Sequence, residues 1–172
     1  MMLSEELYPQ RVFYYFEQIA AIPHGSRNTK AISDFLVNFA KEHNLVWYQD
    51  ENNNVVIVKE ASAGYEAAEP IIIQGHMDMV CEKEKGVDID FEKDGLKLYI
   101  DGDFLKAEGT TLGGDDGIAV AYALALLDSQ EIAHPKLEVV ITVDEEIGML
   151  GADAIDLSML TGHTMLNIDS DV

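Results

Sequence analysis

Ile71-Ile72-Ile73-Gln74-Gly75-His76-Met77-Asp78 is an apolar run that ends in two polar side chains. Three consecutive β-branched residues without alternation suit a strand buried on both faces. His76 and Asp78 follow directly, two residues apart, so they project to the same side of the chain. A carboxylate beside a ligating histidine accepts the second ring proton, fixes the tautomer and raises ligand basicity. The bland alternative is a histidine and an aspartate in a polar loop, because His-x-Asp is a short pattern.

The same arrangement, an apolar strand followed by acids, recurs along the chain. Leu137 to Val143 reads as a second buried strand, and Asp144-Glu145-Glu146 follows it. Three adjacent carboxylates beside an apolar segment are costly unless paired or bound to a cation; otherwise they form an acidic turn in solvent. Consecutive side chains point in different directions, so one can bind a metal while its neighbour serves as a general base. Thr164 to Ile168 reads as a final strand ending at Asp169. Gly113-Gly114-Asp115-Asp116-Gly117 precedes an Ala- and Leu-rich helix from Gly117 to Leu127. Either aspartate could cap that helix. Yet a cap needs only one of them, and three glycines allow tight turns near a ligand. A carboxylate held there could bridge two cations.

The intervening sequence supplies the scaffold. Tyr8 to Ile22 carries Val12, Tyr15, Phe16, Ile19 and Ala20 at helical spacing, and Pro23-His24-Gly25-Ser26 breaks it. A second helix runs from a cap at Asn28 or Thr29 to about His43, with Asn44 closing it. Leu45 to Gln49 and Val55 to Lys59 read as strands joined by the turn Asp50-Glu51-Asn52-Asn53-Asn54. Val87 to Phe104 reads as short surface strands, and Gly151 to Leu160 as a short helix. Buried strands alternating with helices define an α/β domain with a mainly parallel central sheet. In such sheets functional groups gather at the carboxyl ends of strands. All four acidic motifs fall there or at the start of the helix that follows.

Composition narrows the partners. The 172 residues include 48% apolar residues, enough for one domain with a core. Lys and Arg number 11 against 32 Asp and Glu, a formal charge of -21, which argues against nucleic acid and anionic membranes as partners. The single cysteine, Cys81, excludes an internal disulfide and fits a reducing compartment. It is expected to be a packed residue and not a ligand. His24, His43, His134 and His163 lack ligand-like partners in sequence and are expected at structural or surface positions. Residues 1–10 show no leader-like run, and no apolar stretch approaches a membrane span. The expected location is the cytoplasm.

With these motifs in order, the chain resembles the aminoacylase/carboxypeptidase-type di-zinc metallopeptidases, and within them the Xaa-His dipeptidase branch. The resemblance runs from the N-terminal helix to the last residue and is carried by GHMDMV, LGGDDGIAVAYALALL, TVDEEIGMLGA and NIDSD. It implies a three-layer zinc-peptidase-like domain with helices flanking the sheet. It implies that His76 and Asp169 bind one zinc, that Glu146 binds the other, and that Asp115 bridges both, with a cis peptide after it. Asp78 would orient His76, and Glu145 would be the general base of dipeptide hydrolysis. Mn2+ or Co2+ could replace Zn2+, since these ligands suit several metals. The resemblance further implies a small peptide as substrate and a homodimer at full length.

Members of that family are longer, with a lid and dimerisation domain and a returning segment that supplies a last histidine ligand. Residues 1–172 are therefore expected to be the N-terminal part of the catalytic domain, with an incomplete second metal site, little activity alone and uncovered apolar surface. An aminoacylase, a tripeptidase, a deacetylase of amino-acid derivatives and a non-catalytic metal- or peptide-binding module are the alternatives.

Overall fold

The computed structural model describes residues 3–169. After a short 3₁₀ turn at Leu3–Glu5 come helices α1 (Gln10–Ala20) and α2 (Lys30–Glu42) and strands β1 (Val46–Gln49), β2 (Val55–Lys59) and β3 (Ile71–His76). A surface hairpin, β4 (Leu98–Asp101) and β5 (Phe104–Ala107), leads to α3 (Gly114–Asp128), β6 (Leu137–Thr142), α4 (Leu150–Ala154) and β7 (Thr164–Asn167). Thr29 stands at the N-terminus of α2, but its side chain makes no capping hydrogen bond. Asn44 closes α2 with a positive φ of 54°.

The five-stranded sheet has the order β1-β2-β6-β3-β7. β3 pairs in parallel with β6 and β7, while β1–β2 and β2–β6 are antiparallel. The α/β architecture is the expected one, and the sheet is mixed. The first hairpin explains the antiparallel half. Asp50 Oδ1 accepts the Asn52 and Asn54 N–H groups, and the turn returns β2 directly onto β1.

Side chains alternate across the sheet. Val55, Ile57, Ile73, Leu137, Val139 and Ile141 face α1, α2 and α3 and form the main core with Phe16, Ile19, Leu36, Val120 and Leu124. Val56, Val58 and Val140 face the other way, toward Ile72, Ile155, Met159 and Leu160. That second layer is thin, because among the described residues only α4 and the segment after it cover it. Ile72 is accordingly half-buried; Ile71, at the start of the strand on the main-core face, is also half-buried, and Ile73 is the fully buried residue of the run. β7 is exposed along its length, and Met165, Leu166 and Ile168 stand at the surface.

Two expected elements are shorter than their sequence spans. Within Val87–Phe104 only β4 and the start of β5 are extended. Local bonds at Asp90, which accepts Glu92 N–H and Lys93 Nζ and donates its own N–H to Asp94, compete with a ladder. The helix expected over Gly151–Leu160 stops at Ala154. Beyond it Asp156 Oδ1 accepts Ser158 N–H in a local turn. Among the described residues no helix is long and apolar enough to cross a membrane.

Candidate metal centre

Parallel pairing brings the acidic motifs together. His76 at the end of β3 stands opposite Thr142 at the end of β6, so Asp144-Glu145-Glu146 emerges beside it. On the other side β7 ends with Asn167 opposite Gln74, which carries Asp169 to the level of His76. The turn before α3 completes the wall. Gly113 takes a left-handed backbone (φ 67°), Asp115 and Asp116 are non-helical, and the Asp115–Asp116 peptide is cis. Neither aspartate caps α3 among the described residues, and both carboxylates turn to His76. Asp116 Oδ2 accepts the His76 N–H at 3.0 Å, and Asp115 Oδ1 lies 3.2 Å from His76 Nε2.

Gly75 makes that approach possible. A Cβ there would stand 2.6 Å from Asp116 Oδ2 and 3.1 Å from the Ala119 side chain. The glycine of the Gly-His-x-Asp stretch is thus a seat for the second aspartate of a motif forty residues on.

His76 is 1% exposed. Its Nδ1–H donates to the Asp78 carbonyl at 2.9 Å, and Asp78 Oδ1 lies 3.4 Å from the same nitrogen. This fixes the tautomer and leaves Nε2 facing carboxylates: Asp115 at 3.2 Å and Glu145 Oε2 at 3.8 Å. Asp78 is equally buried. Its Oδ1 accepts Glu145 N–H at 3.0 Å, and its Oδ2 accepts Ser26 Oγ–H at 2.8 Å and Glu146 N–H at 3.4 Å.

The electrostatics reflect crowding. Burial pushes the Asp116 carboxyl up to about 7, with the neighbouring His76 opposing and Asp169 and Asp115 adding to the rise. Burial also raises Glu146, with Asp115, Glu145 and Asp78 contributing against His76. Burial works against a charged His76 and a charged Asp78. Their mutual contact prevails, carrying His76 up to about 9 and holding Asp78 below the usual carboxylate range. Buried like charges at such spacing are unfavourable unless a cation joins them.

A divalent cation fits this donor set. His76, Asp115 and Glu146 offer ligand atoms within 4.8 Å of one another, and so do His76, Asp116 and Asp169. One imidazole nitrogen with carboxylate oxygens suits zinc, manganese or cobalt. The six residues singled out in the sequence, His76, Asp78, Asp115, Glu145, Glu146 and Asp169, therefore meet at one end of the sheet. The sequence reading missed two residues. Asp116 has no assigned role in sequence, where either aspartate of the pair could cap the helix or bridge cations; its signal is the doubled aspartate, which exceeds what a cap needs. Ser26 had no signal, since its partner lies 52 residues away. Cys81 packs against Gly25 and joins no ligand group among the described residues. His24 is buried with its Nδ1–H on the Ile22 carbonyl, His43 bridges Phe39 and Asp128, His134 is buried, and His163 is exposed.

A buried histidine among carboxylates at the strand ends of an α/β sheet is a donor set of the kind metal-dependent hydrolases use. Residues 72–169 match peptidase family M20/M25/M40, and the chain belongs to that family. It is 40% identical over 166 residues to the cytosol non-specific dipeptidase of Escherichia coli (strain K12), covering 96% of this chain and 34% of that protein. The crystal structure of aminoacylhistidine dipeptidase from Vibrio alginolyticus superposes with a TM-score of 0.94 at 40% identity, over 98% of this chain and 34% of that one. A tripeptidase from Staphylococcus aureus shares the fold, with a TM-score of 0.77 at 24% identity over 95% of this chain and 44% of that one. The chain thus spans about a third of the length of its dipeptidase relatives.

Proposed function

We propose that these residues form the metal-binding wall of a dipeptide hydrolase, with dipeptides of the Xaa-His type among its substrates. The observation that carries the reading is the buried His76, whose Nδ1 is committed to Asp78 and whose Nε2 faces Asp115 and Glu145. The 40% identity to proteins named as dipeptidases supports the substrate class. The name of the Escherichia coli relative supports a cytoplasmic location.

His76 with Asp169, and Glu146, would hold two divalent cations, with Asp115 shared between them. Such cations, when bound, polarise a peptide carbonyl and bring the pKa of water toward neutrality. Asp78 keeps the His76 lone pair on Nε2 and restrains the ring. The Glu145 carboxylate, 31% exposed, is open enough to take a proton from water and return it to the leaving amine, as a general base then acid requires. Asp116 fixes the His76 backbone from behind.

Residues 1–172 serve as part of a catalytic domain, and we expect this polypeptide alone to turn over slowly. The Asp115 side chain is 52% exposed, so the wall is open to water, and catalytic electrostatics weaken where water is not excluded. The test is calorimetric titration of the chain with Zn2+, followed by hydrolysis of a panel of dipeptides, tripeptides and N-acyl amino acids by a full-length dipeptidase carrying this sequence. Expected are saturable Zn2+ binding abolished by His76→Ala, preference for dipeptides, and a Glu145→Gln variant that keeps metal and loses turnover. Absence of Zn2+ binding, or full turnover by Glu145→Gln, would overturn the assignment.

A further inference from the structure

The loop between α1 and α2, residues 23–28, carries none of the proposed metal ligands, yet it is bonded to two of the loops that do. Met79 N–H donates to the His24 carbonyl at 3.2 Å, and Gly25 and Met79 form an isolated parallel bridge. Arg27 N–H donates to Asp144 Oδ1 at 2.6 Å. Between these contacts Ser26 Oγ donates to Asp78 Oδ2 at 2.8 Å.

Asp78 is where the two ligand loops meet. Its side chain is inaccessible to solvent, so each oxygen depends on protein donors. Oδ1 takes the Glu145 N–H at 3.0 Å and lies beside the His76 ring. Oδ2 has one short donor, Ser26, and one long contact, Glu146 N–H at 3.4 Å. Without the hydroxyl, Oδ2 would keep only that long bond, and the carboxylate plane would be free to turn about its Oδ1 contacts. Such a turn would shift the Oδ1 contact beside the His76 ring and the bonds to the Glu145 and Glu146 N–H groups together.

We infer that Ser26 is a positioning residue of the centre: its hydroxyl sets the Asp78 carboxylate, and through it both the His76 ligand and the backbone of Glu145 and Glu146. The effect on metal rests on the function proposed above; the effect on the Glu145-Glu146 backbone does not. Ser26 touches no proposed ligand atom. It acts in the way outer partners of metal ligands act, where loss costs about 10–100-fold in affinity.

The experiment compares the wild-type chain with Ser26→Ala and Ser26→Thr. In metal-free protein, amide hydrogen exchange read by NMR is expected to quicken about tenfold or more at Glu145 and Glu146 in Ser26→Ala. Val139 and Ile141 in the preceding strand, β6, should stay unchanged, and Ser26→Thr should restore protection. Zn2+ titration is expected to show affinity lower by about tenfold in Ser26→Ala and recovered in Ser26→Thr. Unchanged exchange at Glu145 and Glu146, or uniform acceleration through β6, overturns the inference. So does equal Zn2+ affinity of Ser26→Ala and a wild type that binds. A wild type that binds no Zn2+ defeats the metal reading, and the exchange result then decides the positioning role by itself.

Discussion

Replacing Glu138 by Gln should loosen the turn that delivers Asp169 to the centre. Glu138 sits in β6 with no exposed side-chain surface, an unusual place for a carboxylate. It is held there by Thr161 N–H at 2.9 Å, Thr161 Oγ–H at 2.6 Å, Gly162 N–H at 2.9 Å and Lys136 Nζ at 2.9 Å. Burial alone raises its pKa. The Thr161 hydroxyl, Lys136 and the two backbone donors outweigh burial and hold it at about 2 in place of 4.5. That difference amounts to roughly 3 kcal/mol in favour of the ionised folded state, an upper bound on what the charge contributes.

The folded value lies below the unfolded one. The contribution is therefore complete above an unfolded pKa of 4.5 and is lost as pH falls toward about 2. Gln keeps the shape but has one acceptor oxygen and no charge, leaving backbone donors of the Thr161-Gly162 turn short of a partner. Urea denaturation near pH 7 should find Glu138→Gln less stable by about 2–3 kcal/mol. The gap between wild type and variant should hold down to about pH 5 and close to under ~1 kcal/mol near pH 2.5. Other carboxylates titrate in the same window but cancel in that difference. A gap of the same size at both ends, or one below ~0.5 kcal/mol near neutrality, would refute the reasoning, because an ion pair of little net worth gives that result.

Three further outcomes follow from close contacts and linkage. Gly75→Ala should drive the Asp116 carboxylate away from the His76 N–H, since the added Cβ would stand 2.6 Å from Oδ2; Zn2+ affinity measured by calorimetry should drop by about tenfold or more. Asn54→Ala removes a fully buried amide that accepts Val143 N–H at 3.0 Å and donates to the Gly151 carbonyl at 3.1 Å; the carbonyl keeps the Ile155 N–H, so chemical denaturation should show a loss of about 1–3 kcal/mol as the Val143 N–H is left unpaired. Zn2+ at about a hundredfold excess over its dissociation constant should raise the unfolding free energy by about 2.7 kcal/mol, reversibly by a chelator, and His76→Ala should erase the gain.

What was legible in the sequence was what local chemistry determines. The apolar runs 71–73 and 137–143 are strands because their residue types suit no other buried element of that length. The acids after them could be read as ligands because an α/β sheet puts strand ends on one edge. What was hidden depends on which strands become neighbours. The antiparallel placement of β6 against β2, which makes the sheet mixed, joins segments some eighty residues apart, and no local pattern records it. The half-exposed Ile72 follows from a thin second layer, a property of what packs on a strand and not of the strand itself.

The same distinction runs through the centre. His76 and Asp78 announce themselves by spacing, but their partners do not. Asp116 looked like a helix cap because a helix follows it, and its real neighbour is the backbone forty residues earlier. Ser26 looked like part of a helix break because it follows Pro23, and its hydroxyl is the short donor on a buried oxygen of Asp78. Gly75 joins the two levels. Read along the chain it only ends a strand; read across the fold it is the position where any side chain would collide with the Asp116 carboxylate. A site assembled from four loops thus shows its ligands in sequence, while the residues that hold those ligands in place become visible only once the strand order is known.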